Sequence, residues 1–141
     1  MPRDLHNEIK ASRGISPAAA VTDNTAFVSQ ILDCQGFESH EFVGQFGSIA
    51  DADATFTVLV EDGDNSALTD AAAVADAKLL GVEAMSLQFD SDNQAFKIGY
   101  RGIKRYVRVT ITPVNNTGNI FLAGVWLQGH ARSLPQSTQV V

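Results

Sequence analysis

From Ala26 onward, apolar and polar residues alternate in short runs with a period near two, the pattern of strands that bury one face. Ala26 to Asp33 is the first run, punctuated by Gly36, and Glu38 to Phe46 is the second, with Gly44 as a candidate bulge. In Thr55 to Asp62 the residues Phe56, Val58 and Val60 share one face, and Asp62-Gly63-Asp64-Asn65 ends the run as a turn. Met85 to Phe89, Ala95 to Tyr100, Arg105 to Thr112 and Ile120 to Gln128 follow, each bounded by turn formers. Within Arg105 to Thr112, Val107, Val109 and Ile111 face one way and Tyr106, Arg108, Thr110 and Thr112 the other, with Pro113 expected to end the strand. The alanine-rich stretch between Ala67 and Val82 is open to two readings, a short helix stopped by Gly81 or a long loop.

About eight strands spaced near ten residues, with Gly, Asn and Asp between them, predict an all-β fold. The expected architecture is an antiparallel β-sandwich, jelly-roll-like, over residues 25–141. A parallel α/β sheet is not expected, because the amphipathic crossover helices it requires are missing from the pattern. Residues 1–24 have no sustained period and are expected to form an extended N-terminal arm, with at most one helical turn around Leu5 to Lys10. Such a segment has too few apolar groups to offset its ordering entropy alone, which predicts that it lies on a neighbour.

The 141 residues fit one domain. No apolar run approaches the roughly 18 residues that cross a bilayer, so no membrane partner is expected. The polar start, Met1 to Glu8, does not read as a secretory signal, which predicts synthesis in the cytoplasm. The single Cys34 has no partner for an internal disulfide and no nearby cation to make it a nucleophile. Charge is distributed unevenly. Residues 33–92 hold thirteen carboxylates against Lys78, a net of −12, whereas from residue 93 onward there are six cations and no side-chain carboxylate. This asymmetry favours either pairing of the two halves within one chain or docking between copies.

The common catalytic combinations are absent from the sequence: no His-Glu-x-x-His, Cys-x-x-Cys, Gly-x-Ser-x-Gly or phosphate-binding Gly-Lys-Ser/Thr loop. The chain is therefore expected to be a binding protein with no enzyme activity and no cofactor. His6, His40 and His130 are far apart in sequence, and Asp62-Gly63-Asp64-Asn65 departs from a calcium loop because Gly63 falls too early. The basic group Arg101, Lys104, Arg105 and Arg108 is modest on an acidic chain, which argues against nucleic acid and for docking on an acidic protein surface. With the arm residues Leu5, His6, Ile9 and Ile15 it forms the candidate protein interface. Trp126, the one tryptophan, sits in Phe121 to Leu127 and is expected in the core or an interface rather than on a sugar-binding surface.

Several segments carry a resemblance: Asp4-Leu5-His6-Asn7, Ile15-Ser16-Pro17, Thr22-Asp23-Asn24-Thr25, the stretch from Gly47 to Val58, and Gly99-Tyr100 with Lys104-Arg105-Tyr106-Val107-Arg108. Together they resemble a family of small head proteins of tailed bacteriophages and prophages, over nearly the whole chain. The resemblance implies a structural virion protein that decorates, or cements, the outside of the capsid. It also implies the major capsid protein as partner, a homo-oligomer with a trimer favoured, and a place on the capsid surface after synthesis in the host bacterial cytoplasm. Two alternatives are another virion component, such as a head-tail connector, tail or head-fibre part, and a carbohydrate-binding adhesion module.

Overall fold

The computed structural model describes residues 3–137. In chain order the strands are β1 (Lys10–Ile15), β2 (Phe27–Val28), β3 (Leu32–Asp33), β4 (Phe37–Ile49), β5 (Thr55–Gly63), β6 (Ala72–Ala73), β7 (Leu79–Leu80), β8 (Leu87–Gln88), β9 (Ala95–Tyr100), β10 (Tyr106–Val114) and β11 (Ile120–Ala131). One sheet has the order β1-β11-β4-β9-β7; the other has β2-β10-β5-β6, with β3 also on β10 and β8 on β5. Every pairing is antiparallel. The architecture is thus the all-β antiparallel sandwich that the alternation predicts.

Period-two burial builds the core. Phe42 and Phe46 of β4, Ile98 of β9 and Leu122 and Trp126 of β11 point inward from the first sheet. Phe56, Val58 and Val60 of β5 and Val107, Val109 and Ile111 of β10 meet them from the second. Phe46 and Phe56 join the two layers with ring centroids 4.8 Å apart, and Phe42 lies edge-on to Trp126 at 5.2 Å. These aromatic contacts need bare backbone beneath them. A Cβ on Gly14 would stand 2.8 Å from the Phe42 ring, and one on Gly124 would clash with the same ring.

Several expectations change. The run Ala26 to Asp33 is two short strands, because the ladder to β10 breaks after the Ser29 N–H, which donates to the Val109 carbonyl at 2.9 Å. The Ser29 hydroxyl takes the Val109 N–H at 2.9 Å, while Gln30 turns to the other sheet, donating its N–H to Gly14 and accepting from the Trp126 indole at 3.1 Å. Pro113 lies within β10 opposite Phe56; β2 has ended at Ile111, so β10 has no neighbour there that needs the missing N–H. The alanine-rich stretch forms β6, a single 3₁₀ turn over Asp76–Lys78, and β7. The segment expected as an arm over residues 1–24 joins the sandwich through β1, which pairs with β11 from Lys10↔Gln128 to Ile15↔Gly124. Ile15 is 7% exposed and belongs to the core, so it is not available for docking.

Candidate functional site

Among the described residues the outer face of the five-stranded sheet is left open except at one end, and its centre is apolar. One row across it runs Ala11, Leu127, Glu41, Gly99, Leu80; the next runs Arg13, Val125, Val43, Lys97. Leu80, Val125 and Phe121 are among the exposed large apolar residues of the molecule. β11 is therefore apolar on both sides, with Leu122 and Trp126 inward and Phe121, Val125 and Leu127 outward.

At one end this face deepens into a groove of about 830 Å³, with Leu5, Ile9, Leu80, Leu127 and Leu134 among its walls. Glu8, Glu38, Glu41 and Arg101 also line it. Glu41 folds over Gly99, where its carboxylate stands 2.6 Å from the position a Cβ would take. Burial holds its pKa above the ordinary carboxylate value, partly opposed by the charge of Lys97. On the groove wall Ser39 Oγ and His130 Nδ1 are 2.5 Å apart. His40 lines the groove but faces the core, beside the Tyr100 ring and 3.4 Å from Gln128 Nε2, and burial lowers its pKa.

The sequence-derived interface residues fall into separate places. Leu5 and Ile9 reach the groove, with Arg101 on its wall. His6 is exposed in the preceding turn, next to the Asp4 carboxylate that accepts the Asn7 N–H at 3.0 Å. The remaining cations are engaged with the acidic half of the chain. Lys104 pairs with Asp64 at 2.5 Å, Arg105 forms a two-pronged pair with Asp33 at 2.9 and 3.0 Å, and Arg108 reaches Glu61 at 3.0 Å. These bonds hold the Asp33 carboxyl below its usual value, through Arg105, and raise the Lys104 ammonium, through Asp64. All four ion pairs among the described residues, with Arg132–Glu38 as the fourth, join the two charge blocks.

The other candidate chemistries are occupied by structural bonds. Asp70 accepts the Asp64 and Asn65 N–H groups at 2.8 and 3.2 Å, closing the turn that resembled a calcium loop. Asp51 accepts from the Thr117 N–H and hydroxyl, each at 2.8 Å. Among the described residues no group of three or more His, Cys, Asp or Glu side chains is disposed to hold a metal ion. Burial pushes the Cys34 thiol up to about 12, so it is no thiolate nucleophile near neutral pH. Trp126 is 1% exposed, which removes it as a surface plate.

Sequence reasoning missed Leu80, Phe121, Val125, Leu127 and Leu134. A signal for three of them was present: from Ile120 to Gln128 both alternating sets are apolar, which in an outer sheet implies two contact surfaces.

No protein-family model matches the chain, and no curated protein sequence is similar to it. Among solved structures it is similar to the Clostridium thermocellum N-terminal endo-1,4-β-D-xylanase 10B CBM22-1-GH10 modules complexed with xylohexaose, at 12% identity and a TM-score of 0.48. That match covers 95% of this chain but only 27% of the xylanase chain. It is also similar to the C-terminal family 22 carbohydrate-binding module of the same xylanase, at 12% identity and a TM-score of 0.38, over 93% of this chain and 92% of that one.

Proposed function

We propose that the chain is a non-catalytic binding protein that lays the outer face of its five-stranded sheet on another protein's surface, and that this surface is the capsid of a tailed bacteriophage. The observation that carries the reading is the double apolar character of β11. The Phe121 and Val125 side chains are exposed within one chain, on a sheet whose other face is already a complete core. The resemblance of the Gly47 to Val58 and Gly99 to Arg108 segments to phage head proteins supplies the partner, the major capsid protein. Binding assembled shell and not its dissociated parts would stabilise the particle by mass action, multiplied over many copies. The test is occupancy on purified capsids stripped of the protein. Val125→Asp and Phe121→Asp, both at exposed positions, are expected to lower occupancy at least tenfold with unchanged circular dichroism; undiminished occupancy for both removes the face from the reading.

A second reading, a carbohydrate-binding module, is favoured by the polar wall of the groove. Glu38, Glu41, Ser39 and His130 there present hydroxyl-bonding groups next to apolar surface. Against it, Tyr100, the groove's only Tyr or Trp, is 2% exposed, so no aromatic plate is available for a sugar ring. Titration calorimetry with xylohexaose separates the two readings: heat of binding that Glu41→Gln abolishes favours the sugar, and its absence favours the protein surface.

A further inference from the structure

The loop from Arg101 to Arg105 is pinned at nearly every residue except its tip. Arg101 donates its N–H to Lys78 at 2.9 Å and its Nε–H to the Ala77 carbonyl at 3.2 Å. The Lys104 N–H donates to the Tyr100 hydroxyl at 3.1 Å, and that hydroxyl donates in turn to Asp62 at 2.7 Å. Gly102 lies against the Tyr100 ring so closely that a Cβ would collide with it, and the Lys104–Asp64 and Arg105–Asp33 pairs fix the far side. Between these anchors Ile103 is 86% exposed, more than any other large apolar residue described. A rigid loop that presents one apolar side chain to water has little further ordering entropy to lose on binding.

From this geometry we infer that the protein forms a two-fold dimer in which Ile103 of each copy enters the groove of the other. Three observations select a second copy as the occupant. The groove offers an apolar lining of the right kind in Leu5, Leu80, Leu127 and Leu134. Knob and groove are neighbours, since Arg101, two residues before Ile103, forms part of the groove wall; a two-fold axis between them brings each knob to the opposite groove and closes the assembly. The charges are also complementary. Glu8 and Glu41 make no ion pair among the described residues, and neither does Arg101, so the axis sets an unpaired cation against unpaired carboxylates. Phe121 and Val125 lie outside the groove that the second copy would fill, and the inference is of a dimer where the family resemblance implies a trimer.

The test is sedimentation equilibrium and light scattering of the full chain over a range of concentrations. The wild-type protein is expected to dimerise, and Ile103→Asp to raise the dimer dissociation constant at least about 30-fold. Its melting temperature, extrapolated to monomer, should stay at the wild-type value, because the side chain is in water. Glu8→Arg and Glu41→Arg, which set like charge against Arg101 of the second copy and leave the loop's anchors in place, should each weaken the dimer. A wild-type protein that stays monomeric, a higher oligomer, or an Ile103→Asp variant that dimerises normally would each overturn the inference. Capsid occupancy is measured separately, so the dimer and the capsid reading can fail independently.

Discussion

Ser29 and His40 are buried polar residues with opposite demands. The Ser29 hydroxyl replaces a ladder carbonyl for the Val109 N–H, at a point where the chain leaves one sheet for the other. Ser29→Ala leaves that buried donor unpaired and is expected to cost about 1–3 kcal/mol, read from urea unfolding. His40 is kept neutral by burial, with the charge of Glu38 opposing. Its folded pKa lies below the unfolded value, so its contribution is fully present above that unfolded value of about 6.5 and is lost as pH falls through the folded one. Glu41 has the reverse sign, since its raised pKa makes the folded state gain as that carboxyl protonates. The melting temperature should therefore fall between pH 7 and pH 5 by more in the wild type than in His40→Gln, while the neighbouring Glu41 is common to both. Parallel curves for the two proteins would refute the assignment.

At the scale of elements, β11 is the member on which most depends. It is flanked by β1 and β4, and its Gly124 gives the Phe42 ring room to lie across the strand. Gly124→Ala is expected to destabilise by about 1–3 kcal/mol, because the ring lies between two layers and has nowhere to move. Truncation separates the two parts of the N-terminal segment. Removing residues 2–8 takes away part of the groove wall and should leave the fold intact by circular dichroism. Removing residues 2–20 also deletes β1 and the core residue Ile15, and it should lower the melting temperature sharply. The strand faces of β5 and β10 were legible in the sequence because period-two alternation is a local signal. β1 was not: Lys-Ala-Ser-Arg-Gly-Ile alternates too weakly, and its pairing is decided by the open edge of β11, more than a hundred residues away. β2 and β3 looked like one strand because the residues that break it, Ser29 to Ile31, are neither glycine nor proline.

For the whole molecule, four of the six cations of the basic half are paired with carboxylates of the acidic half. Lys104–Asp64 and Arg105–Asp33 are exposed and should contribute little, so Asp64→Ala and Asp33→Ala are expected to move the melting temperature by no more than a few degrees. Glu61→Ala should cost visibly more, because Arg108 is half-buried, its Nε atom is buried without a hydrogen-bond partner, and its guanidinium is held by Glu61 through Nη2. The sequence could count these charges but could not pair them, since Lys104–Asp64, Arg108–Glu61 and Arg105–Asp33 join residues 40, 47 and 72 positions apart. It likewise could not find Ile103, whose importance lies in the stiffness of the bonds around it. One further consequence follows from the position of Trp126. It is the sole indole of the chain, enclosed beside Phe42 and tied to Gln30, with its ring directed away from the outer face. The protein therefore carries a built-in optical probe of its interior: emission should shift to the red only when the layers separate and stay silent while a partner settles on the opposite side of the same strand.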